Sequence, residues 1–430
     1  MSLFSSLSTA VSGMNAQSEA LNAISDNVAN SQTVGYKRVD TRFESMVSDI
    51  GRRNIAGGVL AHADATNDVQ GGIDQVDNPL AMALSGRGFF SVARTIARAS
   101  DGARVFDPQQ MVSRAGDFSL DRDGYFVNGS GDVLQGWALG PDGKVNTSSL
   151  APLRADRSPL APQPTGALSL AANLPANGAA SATGSTDVQV YDALGNLQTL
   201  NLAWARGSAA DTWTLNVTQA GGASLGSFVV AFGTNGAPAG TIGSVTTSAG
   251  AVIGTYSAAA PATARIDLSA TFNGAAQPVS LSFGDFGGTN GLTQFSGSTY
   301  ELRSVDRDGA PQGAFASAAI RADGTIIANY DNGRSRTIGR VPVVTFADAD
   351  ALERLGGQAF AVTELAGTPR INAAGASGAG VIETGAIERS NVDIAAEFSR
   401  MIIAQRAYTA NTRVVTTSDD MLQETINLKR

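Results

Sequence analysis

The chain has 430 residues, 43% of them hydrophobic, and a formal net charge of −8. That length exceeds one typical core and predicts two to four compact pieces, while the acidic balance argues against a nucleic-acid reader, which needs a basic patch against phosphate. With no cysteine and a single histidine, His62, disulfide scaffolds, thiolate metal sites and His-dependent triads are excluded together.

Residues 1–30 carry Glu19 and Asp26 as their only charges and contain no proline. Leu7, Met14, Leu21 and Val28 recur every seven residues, and Leu3, Ala10, Gln17 and Ile24 form the neighbouring row, the 3–4 spacing of a coiled-coil seam. A helix of about 28 residues would be roughly 40 Å long at 1.5 Å per residue. Ser2, Ser5, Ser6, Ser8, Ser12 and Gly13 are weak helix formers, so this segment is expected to order only when neighbours bury its seam. No basic residue precedes Lys37 and no apolar run is long enough to span a bilayer. Neither a cleaved secretory signal nor a transmembrane segment is predicted, and any export would be uncleaved.

A connector follows over 31–79, with 386–389 joining it from the other end. Gly57, Gly58 and Asp64 make the stretch around His62 read as an exposed loop. From 80 onwards short Val, Ile, Phe and Thr runs alternate with turn dipeptides such as Asp123-Gly124, Asn128-Gly129 and Asn273-Gly274, which signals hairpins. Phe118–Val127 fits one hairpin well. A composition shift over 147–186 marks entry into an inserted, Ala/Gly/Thr-rich domain. The fold class is therefore a mainly β body of two nested β-rich domains. A discontinuous inner domain (80–155 and 296–385) surrounds an outer one (156–295), and long α-helical coiled-coil termini (1–30 and 390–430) flank the body.

At the carboxyl end Ile394, Met401, Tyr408, Val415 and Leu422 fall every seven residues, with Phe398 and Ile426 in the companion row. Ser390 reads as the N-cap, with Asp393 three residues on. Polar seam residues, Gln17 at one end and Gln405, Thr412 and Asp419 at the other, specify register with particular neighbours rather than a generic core.

No catalytic constellation emerges. Asp121-Arg-Asp123-Gly124 begins like a calcium loop, but Tyr125 occupies the next ligand position, so a hairpin turn is the reading. Ser85-Gly-Arg-Gly-Phe-Phe90 lacks the third glycine and the helix of a dinucleotide loop. Asp419 and Asp420 lie in a helix with no convergent partner. The expectation is a structural protein with no enzyme activity, cofactor, metal or small-molecule substrate.

Several of these segments resemble the bacterial flagellar axial proteins, the family of rod and hook subunits, and most closely its hook branch. Asp26-Asn-Val-Ala-Asn30-Ser-Gln-Thr33-Val-Gly35-Tyr36-Lys37 is similar to the signature after the first helix, which includes Asn27. Asn78-Pro-Leu-Ala-Met-Ala-Leu-Ser-Gly86-Arg-Gly88-Phe89-Phe90 and Leu120–Asn128 are similar to the shared inner domain. Val190-Tyr191-Asp-Ala-Leu-Gly195-Asn196 looks like the start of the hook's outer domain. Ile387-Glu388-Arg-Ser390-Asn391-Val392-Asp393 resembles the carboxyl-terminal signature, whereas residues 205–280 match no segment of the family. The resemblance implies a homopolymer in which the terminal helices line a hollow, curved tube that joins rod to filament. It also implies an extracellular, flagellar location and, as partners, the distal rod protein, the hook cap, the hook–filament junction proteins and the type III export apparatus. Gly35 would mark the turn out of the helix, with Tyr36 and Lys37 against a neighbouring subunit. The alternatives are a distal rod subunit, which lacks so large an insert, and a secreted β-rich adhesin with a coiled-coil stalk.

Overall fold

In the computed structural model the described residues are 3–49, 54–100, 102–140, 143–177, 182–260 and 262–427, side chains at 3, 47–49, 54–57 and 425–426 excepted. Helix α1 spans Leu3–Ala29 and helix α2 spans Ile394–Asn427. The cap of α2 is Asp393, whose Oδ1 accepts the amides of Ala395 and Ala396 at 2.9 and 3.2 Å. Such a side-chain acceptor satisfies amides that have no partner within the helix. Ser390 is not the cap. Asn391 holds the preceding segment out of the helix by accepting the Arg38 amide at 2.7 Å and donating to the Val69 carbonyl at 3.2 Å.

The helices run antiparallel, with Asn27 of α1 beside Glu397 of α2 and Gly13 beside Asn411. The buried faces of the helices are mostly small. Ala10, Gly13, Ala16 and Ala20 are buried on α1 together with Ile24 and Asn27, while Ala404 and Ser418 are buried on α2 together with Glu397. A Cβ added to Gly13 would come within 2.8 Å of the Asn411 side-chain amide nitrogen, so Asn411 packs directly against the bare backbone of α1 here.

The connector is more regular than its glycines suggest. Strands β1 (Val39–Asp49) and β2 (Asn54–Ala65) form an antiparallel hairpin that pairs Val39 with Ala65. Its second strand docks on α1 where the Val59 amide donates to Ser12 Oγ at 3.1 Å. His62 thus lies in a strand, opposite Arg42, and not in a loop.

The chain folds into two compact units: Met1–Arg157 with Ser317–Asn329 and Ser335–Arg430, and Ser158–Ala316 with Tyr330–Arg334. In the first, Phe90–Ala93 pairs with both Val133–Ala138 and Met111–Ser113, and the latter pairs with Ala359–Ala361. Phe89, Val112, Val344, Phe346, Leu352 and Phe360 form a core there. The Phe118–Val127 segment is a hairpin with Phe126 opposite Leu120. Its acidic turn faces arginines: Arg104 pairs with Asp121 and Arg98 with Asp123.

The second unit contains a six-stranded antiparallel sheet and a four-stranded sheet, and Trp204, Trp213 and Phe283 lie in the core cluster that both supply. Thr263–Phe272 alternates exposed and buried residues throughout, the period of a strand with one wet face. Residues 205–280, without counterpart in the resemblance, are largely strands of these sheets. The stretch 296–310, assigned from sequence to the inner domain, belongs here because Glu301–Arg307 pairs along Ala167–Asn173.

Candidate functional site: the helix connector and the open helix faces

After α1 the chain turns through Asn30 and Thr33, whose backbone carbonyls accept the amides of Thr33 and Tyr36. Gly35 takes φ +68°, and a Cβ there would lie 2.5 Å from the Ala115 nitrogen. Both conditions select glycine. The turn delivers Tyr36 and Lys37 into the interior, where each is buried.

Three charged groups meet there. Lys37 Nζ lies 2.5 Å from Glu388 Oε1, and Arg114 Nη1 lies 3.0 Å from Glu388 Oε2. Lys37 also donates to the Val69 carbonyl at 2.6 Å, Arg114 to the Gly86 carbonyl at 2.8 Å, and the Gly71 amide to Glu388 at 2.8 Å. Burial pushes both the Lys37 ammonium and the Arg114 guanidinium below their usual ranges, opposed by the Glu388 carboxylate. One carboxylate therefore fastens the amino-terminal connector, the β body and the carboxyl-terminal connector. A buried ion pair adds little net stability over an apolar substitute, but removal of one partner is costly, so its contribution is geometric definition.

A second cluster fixes the helix ends. Asn27 is buried, with its amide nitrogen donating to the Val39 carbonyl at 2.9 Å and its oxygen accepting the Val39 amide at 3.0 Å and the Tyr36 hydroxyl at 3.2 Å. Arg400 reaches Glu397 at 3.0 Å and Asp40 at 2.5 Å, joining α2 to β1. The Arg354 guanidinium stacks over the Tyr36 ring, 4.7 Å from its centroid.

The heptad residues lie elsewhere. Leu7, Met14, Leu21 and Val28 are half-buried, Ile24 is buried, Met401, Val415 and Leu422 are half-buried, and Ile394, Phe398 and Tyr408 are exposed. Leu3 and Ile426 have side chains outside the described set. Asn30 and Thr33 are half-buried in the turn, and Asn27, Gly35, Tyr36 and Lys37 are buried within the chain. Burial leaves Tyr36 and Lys37 no surface for the neighbour contact expected of them. Sequence reasoning assigned no role to Glu388, Arg114, Arg400 or Arg354. Its available signal was one arginine inside the apolar run Met111–Ala115 and one glutamate beside Ile387. Among the described residues no cluster of three potential metal ligands occurs and no helix is long and apolar enough to cross a membrane.

Two long helices with exposed apolar residues are thus tied to a β body by buried charge. Three domain families match in order: "Flagella basal body rod protein" over 7–37, "Flagellar basal body protein FlaE D2 domain" over 159–310, and "Flagellar basal body rod FlgEFG protein C-terminal" over 383–428. The flagellar hook protein FlgE of Rhizobium meliloti (strain 1021) is 32% identical, with 100% of both chains covered. That of Brucella abortus biovar 1 is 30% identical over 100% of both chains, and that of Salmonella typhimurium (strain LT2) is 28% identical over 99% of this chain and 100% of its own. The crystal structure of Helicobacter pylori flagellar hook protein FlgE2 aligns with 72% of this chain and 99% of its own at 14% identity and TM-score 0.47. The chain belongs to the flagellar hook protein family and is a structural subunit of the hook.

Proposed function

We propose that this subunit polymerises into a curved, hollow tube that links rod to filament and transmits torque, with α1 and α2 forming its inner core. The observation that carries this reading is the division of labour on the helices. Mostly small residues are buried on the two helices, whereas Phe398 at 50% exposure and Ile403 at 67% are left open. Apolar surface of this kind on a helix face marks an interaction site. The rows through Leu7, Met14, Leu21 and Val28 and through Ile394, Met401, Tyr408, Val415 and Leu422 then pack as coiled-coil seams against neighbouring copies.

The inner and outer β domains, nested in sequence, form the shell, where smaller and more polar contacts slide as the tube bends. The chain leaves the cell through the flagellar type III apparatus without a cleaved signal, and it meets the distal rod protein, the hook cap and the hook–filament junction proteins. Imaging of the native polymer tests this: curved tubes support a hook joint, and straight, stiff tubes would indicate a rod-like role.

A further inference from the structure

A groove of roughly 430 Å³ opens between α1, β1 and α2 in the first unit. Its floor is Ala20, Ile24 and Ala404, and Phe43 and Ile403, 46% and 67% exposed, stand beside it. The charges it contains are already matched, because Arg400 pairs with Glu397 and Asp40, and Arg38 pairs with Asp40 as well. A ligand for this groove therefore needs apolar bulk and no charge.

The same chain carries such a surface at the far end of α1. Phe4 is 70% and Val11 39% exposed, with Leu7 half-buried between them. No charged residue occurs between Leu3 and Ser18, and the serines flanking the apolar row allow close approach. The row is centred about 13 residues, or roughly 20 Å, from the groove along the helix.

Resting on the assembly reading above, we propose that the groove receives the Phe4–Leu7–Val11 row of α1 from a second copy of this chain. Donor and acceptor surfaces do not overlap, so each copy gives one and takes one. A contact of this head-to-tail kind propagates from copy to copy, and where its rotation does not close into a ring it generates an open helical polymer. The groove then fixes the axial step between the two copies, whereas an apolar seam alone tolerates slippage by a heptad.

The absence of cysteine from the chain makes the test direct. Cells co-produce two variants, Phe4→Cys and Ile403→Cys, together with the unsubstituted chain so that tubes form, and the isolated tubes are oxidised. Phe4 and Ile403 of one chain lie about 17 residues, or roughly 25 Å, apart along the antiparallel pair, beyond disulfide reach. Disulfide-linked dimers from the mixture, absent with either variant alone, are expected. Leu7→Cys with Phe43→Cys is a second pair with the same expectation. Tubes that contain both variants yet yield no dimer from either pair would overturn the proposal, and a dimer from Phe398→Cys with Ile403→Cys in their place would assign the groove to α2. Failure of the unsubstituted chain to form tubes would instead overturn the assembly reading, and the docking with it.

Discussion

Lys37 and Glu388, 351 positions apart in sequence, form a 2.5 Å ion pair in which neither side chain is exposed. Glu388 is also the only carboxylate ion-paired with buried Arg114 among the described residues. Glu388→Gln keeps the shape but leaves two buried cations without a counter-charge, and its expected cost is about 3–5 kcal/mol. Denaturant unfolding of the full-length monomer, followed by tryptophan fluorescence and circular dichroism, measures it.

The sign of the pH dependence at this pair is fixed by the direction of the Lys37 shift. Burial lowers the folded pKa below 10.5, so the unfolded chain binds the proton more tightly. Stability attributable to Lys37 therefore rises as pH climbs from the folded value towards the unfolded one, and is lowest below both. Lys37→Met removes the titration. The difference in unfolding free energy between wild type and variant, taken across the alkaline range, should shift in favour of wild type as pH increases.

Gly35 has a left-handed backbone and no room for a methyl group against Ala115. Gly35→Ala is expected to destabilise the first unit by at least about 1 kcal/mol, the lower end of the cost of holding a strained backbone. Differential scanning calorimetry of the monomer reads the loss.

Much of this arrangement was legible before the structure. Helices were readable because their heptads recur over four or five turns of the pattern, and the body was readable because Asp123-Gly124 and its kin punctuate alternating runs. The β1–β2 hairpin was hidden by Gly57 and Gly58, read as loop signals, although Gly58 sits where a Cβ would meet Ser12 Oγ at 2.5 Å. The outer-domain boundary was misplaced because the partner of Glu301–Arg307 lies more than a hundred residues earlier, in Ala167–Asn173. The buried charge cluster was invisible for the same reason: nothing local to Lys37 announces Glu388, and a lone charge in a sequence reads as solvated until its partner is placed. Heptad counting found the large apolar rows and placed Ala10 and Ile24 in one of them, but it did not find Gly13, Ala16 or Ala20, because small residues carry little periodic signal.

The open faces of α2 make a separable prediction. Phe398→Ser and Ile402→Ser alter exposed positions, so monomer stability should stay within about 0.5 kcal/mol of wild type. Polymer yield, measured by sedimentation and negative-stain imaging, should fall sharply.

The central claim is that the terminal helices hold the polymer while the β body folds without them. Deletion of 1–36 and 391–430 removes both helices but spares Lys37, Arg114 and Glu388. Electron microscopy of that protein, alongside its melting curve, tests the claim most directly. A cooperatively folded monomer that forms no tubes at any concentration is the predicted result, and tubes assembled from the truncated protein would contradict it.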